Sequence, residues 1–97
     1  MDLRTDCLVA GRWVRAASGA TDPVTDPATD QPIAEVPSLA REEVAAAVDA
    51  AWDAWPAWRR RTAADRAAIV ARLGELLLRE AEPLAALITR EQGKPLA

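Results

Sequence analysis

The spacing of apolar residues changes at Pro37, and that change limits the chain to two kinds of structure in succession. Before it, short apolar runs are cut by Gly, Pro, Asp and Ser, the pattern of short strands and turns. After it, Ala, Leu, Glu and Arg dominate and apolar residues recur every three or four positions, the pattern of amphipathic helices. The reading is an N-terminal strand and loop segment over residues 1–37 and a three-helix segment over 38–97.

In the first segment, Cys7-Leu8-Val9-Ala10 and Trp13-Val14 flank Gly11-Arg12, which predicts a hairpin with a two-residue turn. Ser18-Gly19 is a turn signal. Val24 leads into a loop over Asp26–Asp30, where Pro27 fixes φ and removes a donor. Ile33–Val36 alternates and predicts a further strand, ended by Pro37. So few short strands need a partner layer.

The first helix is predicted from Arg41 to Trp55, with Val44, Val48, Ala51, Trp52 and Trp55 on one stripe and Pro56 as its end. Glu42 and Glu43 suit the positive pole of its dipole. Thr62 with Asp65 marks the start of the second helix. Its face carries Ile69, Val70, Leu73, Leu76 and Leu77, with Gly74 inside it. The third begins near Glu82-Pro83 and stops at Gly93.

Composition decides which functions remain open. The 97 residues suffice for one small domain with a modest core, built from Leu, Ile, Val and four Trp without Phe or Tyr. A formal charge of −3 argues against nucleic acid as a partner, and the run Arg59-Arg60-Arg61 reads as a solvated helix end. There is no His, and Cys7 stands alone without a base to activate it, in a segment expected to fray. Met1–Ala10 has no apolar run of the secretory kind, and no stretch reaches the ~20 apolar residues of a membrane span. The expected location is the cytoplasm.

No motif supplies chemistry. Gly93-Lys94 lacks the upstream Gly and following Ser or Thr of a phosphate loop, and no G-x-G-x-x-G occurs. No Cys or His pair has metal-ligand spacing. Glu42, Glu43, Glu80, Glu82 and Glu91 read as solvated helix charges. Trp52, Trp55 and Trp58 read as core, or as an interface with a missing partner. The catalytic, cofactor-binding and metal-binding sets are therefore each expected to hold no residue of this chain.

An ordered set of short elements nonetheless resembles one family. Leu8–Val14 is similar to the opening "INGEWV" of aldehyde dehydrogenases, and Ser18-Gly19 to the "SG" that follows. Val24–Pro37 resembles "VxNPATGExIAxVP", and Glu43-Val44, Ala47-Val48 and Ala50-Ala51 resemble "EDVxxAVxAA". Trp58, Arg66 and Glu91–Ala97 match later markers, the last resembling succinate-semialdehyde dehydrogenases. Three positions depart: Asp26 stands for Asn, Asp30 for Gly, and Ala40 for the Ser that caps the first helix. Asp tolerates a positive φ better than most residues. Losing the cap costs roughly 1 kcal/mol. Ser38 offers a cap one register earlier, without an acid partner at Arg41.

The resemblance implies an α+β segment, short strands or a hairpin followed by three helices, leading into the α/β Rossmann-type domain. It implies NAD or NADP in the parent family, none held by these residues, and oxidation of an aldehyde such as succinate semialdehyde to its acid. In such enzymes a thiolate attacks the aldehyde, hydride passes to the dinucleotide and water releases the acid. The Cys, Glu and Asn that do this lie downstream of the stretch represented here. A structural cation is often held by carbonyls near the position of Val24-Thr25, with its other ligands also downstream. The expectation is thus a truncated family member, not catalytic alone. Its partner would be the remainder of a dehydrogenase chain or a homologous subunit. The alternative is a non-enzymatic helical module that packs on a partner.

Overall fold

The computed structural model describes residues 3–96. Readings that involve Met1, Asp2 and the last position of the Glu91–Ala97 run lie outside the described residues. Four strands come first: β1 (Cys7–Val9), β2 (Arg12–Val14), β3 (Thr21–Thr25) and β4 (Pro32–Pro37). Three helices follow: α1 (Arg41–Arg60), α2 (Ala63–Arg79) and α3 (Ala81–Gln92).

The strands make two separate antiparallel hairpins, β1–β2 and β3–β4. In the first, Val9 faces Arg12, so the turn is Ala10-Gly11, one residue earlier than the sequence reading placed it. The reason is local: Ala10 and Gly11 have φ of 50° and 74°. Two positive-φ residues give the turn twist that matches paired strands. Cys7 is part of this hairpin, opposite Val14, and half-buried, rather than in a frayed end.

The second hairpin contains a strand that the sequence reading missed. Thr21–Thr25 carries Asp22 and Pro23, both poor strand formers, yet Pro23 pairs opposite Glu35. In a two-stranded sheet each strand is an edge, where a missing N–H is tolerated. The connecting loop is built on Asp26. Its Oδ1 accepts from the Ala28 N–H at 2.8 Å, and its carbonyl accepts from the Asp30 N–H at 2.8 Å. Asp30 has φ of 56°, so Asp occupies the left-handed position that the resemblance assigns to Gly.

Helix α1 runs through Pro56 instead of stopping there. The ring holds φ near the helical value and forfeits one hydrogen bond, to the Trp52 carbonyl, after which Ala57–Arg60 continue the helix. Ala40 is the N-cap and has no side-chain acceptor; only the returning half of a capping box forms, the Glu43 carboxylate accepting from the Ala40 N–H at 2.8 Å. Helix α2 starts as its sequence predicts, with Thr62 Oγ1 accepting from the Asp65 N–H at 3.1 Å. Helix α3 ends on Gly93 at φ 75°.

These local structures enclose almost no core. Ala16 is the one buried apolar residue among the described residues. Contacts between the helices are sparse, and the helical part meets the hairpins mainly where α3 approaches β3. The Cα radius of gyration is 16.7 Å, against ~12.5 Å for a compact chain of this length. The accessible surface is 7879 Å², where a compact monomer of this mass exposes about 5,400 Å².

Candidate docking face

The stripes that the sequence pattern picks out are exposed. On α1, Val44, Val48, Trp52 and Trp55 are exposed, Trp52 at 73%. On α2, Ile69, Val70, Leu73, Leu77 and Leu78 are exposed, Leu78 at 80%. Ile88 on α3 and Leu8 and Trp13 on the first hairpin join them. Trp52 and Trp55 therefore form no core within this chain, which leaves the other half of that reading, an interface with a missing partner, open. Trp58 is half-buried beside the end of α1. An added Cβ at Gly74 meets nothing within 4 Å, so no element of this chain requires a glycine there.

The charged residues do not converge on a reaction centre. Arg59 and Arg60 form the exposed last turn of α1 and Arg61 its cap, a solvated helix end. Arg72 pairs with Glu75 at 2.9 Å and Arg79 with Glu80 at 3.2 Å. Exposed pairs of this kind contribute roughly 0–1 kcal/mol. A cleft of about 230 Å³ between the hairpins is lined by Thr5, Asp6, Arg15, Thr21 and Glu35. Its polar groups engage each other: Arg15 Nε donates to Asp6 Oδ1 at 3.0 Å and Thr21 Oγ1 to Glu35 Oε2 at 3.4 Å. Among the described residues, no three His, Cys, Asp or Glu side chains are grouped to hold a metal ion. Lys94 follows the α3 stop, where its carbonyl accepts from Thr89 Oγ1 at 2.5 Å.

Two residues have roles that sequence reasoning did not find. Glu43 accepts from the Ala17 N–H at 2.8 Å as well as from Ala40, and these two amides hold its carboxyl below the usual range. The E three residues after the cap signals only the Ala40 bond; the bond to Ala17, 26 residues back, has no sequence signature. Arg66 on α2 has a side-chain Nε that is shut off from solvent without an acceptor. A buried donor without a partner costs ~1–3 kcal/mol, which singles it out on a face that already lacks a cover.

Short antiparallel hairpins followed by three helices with exposed apolar faces make this an α+β segment with surface left for further structure to cover. The profile of the aldehyde dehydrogenase family matches residues 13–97, and the chain belongs to that family. It is 44% identical to the 3-sulfolactaldehyde dehydrogenase of Pseudomonas putida over 98% of this chain and 20% of that protein. It is 43% identical to the NADP(+) succinate-semialdehyde dehydrogenase of Escherichia coli over 97% of this chain and 20% of that one. The crystal structure of the succinate-semialdehyde dehydrogenase from Burkholderia pseudomallei superimposes with a TM-score of 0.91 at 44% identity, covering 97% and 20%. Two more distant structures hold a dinucleotide. PnpE in complex with nicotinamide adenine dinucleotide has a TM-score of 0.89 at 30% identity, covering 97% and 19%. The glyceraldehyde-3-phosphate dehydrogenase of Bacillus halodurans, complexed with NADP, has a TM-score of 0.92 at 28% identity, covering 98% and 20%. The chain thus spans about a fifth of the length of its relatives and corresponds to the N-terminal part of their fold.

Proposed function

We propose that these residues form the structural lead-in of an NAD(P)-dependent aldehyde dehydrogenase, and that the whole enzyme oxidises a succinate-semialdehyde-like aldehyde to its acid. The observation that carries the reading is the row of exposed large apolar side chains on α1 and α2, Val44, Val48, Trp52 and Trp55 on the one and Ile69, Val70, Leu73, Leu77 and Leu78 on the other. Monomers rarely expose apolar patches larger than a few hundred Å² unless a partner covers them. The partner in this reading is the remainder of the dehydrogenase fold, with residues 38–97 contributing to its cofactor-binding domain and residues 1–37 bracing it. The names of the relatives support the substrate class, and their bound dinucleotides support the cofactor. The reacting thiol, the base and the dinucleotide contacts all lie outside these residues. Among the described residues no helix is long and apolar enough to cross a membrane. The cytoplasm is the location proposed.

A chimera tests this. The matched fifth of the E. coli relative is replaced by this chain, and succinate-semialdehyde-dependent reduction of NADP is measured. The expected result is a soluble, active chimera, and a 97-residue chain that alone is inactive and binds a hydrophobic dye. An inactive chimera, together with a cooperative unfolding transition for the chain alone, overturns the reading in favour of a self-contained helical module.

A further inference from the structure

We infer that Glu43 is a two-armed latch that fixes the link between the two hairpins onto the start of α1. The link, residues 15–20, is already a formed turn: the Gly19 N–H donates to the Ala16 carbonyl at 2.9 Å and the Ala20 N–H to Ser18 Oγ at 3.2 Å. Its Ala17 N–H is left for an outside acceptor, and Glu43 Oε1 takes it at 2.8 Å. Glu43 Oε2 takes the Ala40 N–H at the same distance. One carboxylate therefore binds two amides, one from the turn beside the buried Ala16 and one from the cap of α1.

Two features make this a positioning device rather than an ordinary cap. The hairpins share no sheet with each other, and α3 touches the second hairpin only lightly, with Gly93 beside Pro27. The Glu43–Ala17 bond is the side-chain hydrogen bond that ties strand region to helix across 26 residues. Both partners are backbone amides rather than cations, so the latch is a pair of charge-assisted hydrogen bonds and not an ion pair. Glutamine cannot replace it, because an amide has one acceptor oxygen where a carboxylate has two. The consequence for the docking face, that Leu8 and Trp13 are held in fixed relation to Val44 and Trp52, rests on the function proposed above; the latch does not.

The test is site-resolved amide hydrogen exchange, read by fragmentation mass spectrometry, on the soluble chimera, where the remainder of the dehydrogenase covers the helices. Both Ala17 and Ala40 amides are expected to be protected, and Glu43→Ala to speed both by about tenfold, the loss of roughly one hydrogen bond each. Glu43→Gln is expected to release one arm and keep the other. Glu43→Asp keeps the charge near the helix start but is one methylene short, and is expected to free Ala17. An unprotected Ala17 amide in the unsubstituted chimera overturns the latch, as does Ala17 protection that survives Glu43→Ala. The measurement needs no enzyme activity, so an inactive chimera leaves it standing.

Discussion

The hairpins and the helices satisfy different halves of the requirements for folding. In the hairpins nearly everything is settled within a few residues, by Ala10-Gly11 in the first turn and by Asp26 and Asp30 in the second. The helices also complete their backbone bonding locally, with a cap at Thr62 and a stop at Gly93. Their side chains do not follow, because Val48, Trp52, Leu73 and Leu78 find no cover in this chain. Turn and cap chemistry is short-ranged and survives at a fifth of the fold. Core packing is long-ranged and does not.

The largest test of that contrast is at Trp52. In the chimera, Trp52→Ala should cost about 3–5 kcal/mol, the range for truncating a large buried aromatic. In the 97-residue chain the same change should leave helicity by circular dichroism unchanged, as expected at an uncovered surface position. Denaturant midpoints of the chimera pair and helicity of the isolated pair decide it, and a loss in both settings means that the helices have a core of their own. Next in size is the hairpin turn. Ala10 holds a left-handed conformation that costs an ordinary residue about 1–2 kcal/mol, and Asn is favoured there. Ala10→Asn should raise stability by roughly 1 kcal/mol, visible as slower exchange of the Arg12 amide; no change means that the turn is not under strain.

The helix caps give a matched pair of smaller effects. Thr62→Ala should cost about 1 kcal/mol through the lost bond to the Asp65 N–H, while Ala40→Ser should gain somewhat less by completing the box with Glu43. Helicity by circular dichroism reports both, and a gain at Ala40 larger than the loss at Thr62 reverses the ranking of the two caps. The smallest effect is acid dependence at Glu43. Its folded pKa lies below the ordinary 4.5 because two amides bind the ionised form. The stability it contributes is therefore complete above the unfolded pKa and lost as pH falls through the lower folded value. Glu43→Gln should flatten the denaturant midpoint over that window; an unchanged slope assigns the acid loss to other carboxylates.

Much of this architecture was legible in the sequence, and the misses have physical causes. The α1 and α2 stripes, the Thr62 start and the Gly93 stop follow from helical periodicity and end chemistry, which act over a turn or two. Strand β3 was missed because Asp22 and Pro23 argue against a strand, and pairing with β4 overrides that preference. Pro56 was read as an end because a helix interior disfavours it by roughly 3 kcal/mol, yet the turn that follows continues. The hairpin turn slipped by one residue because Ala10 gives no sign of a positive φ. The docking stripes were visible as apolar spacing, but spacing alone does not separate a core from an interface. The link from Glu43 to Ala17 spans 26 residues and leaves no periodic trace.

The exposed stripes on α1 and α2 also set a schedule. The relative from P. putida aligns over 95 residues that make up 20% of its length. In a protein of that size, about four-fifths of the chain would emerge after these helices form, and at ~5–20 residues per second that takes on the order of 20–80 s. Trp52, Leu73 and Leu78 would face water and other nascent chains throughout. Helices this local form far faster than that, so the wait for cover, rather than their own formation, is the hazardous interval. In such a protein this segment would finish early and stay adhesive until a covering layer had been made.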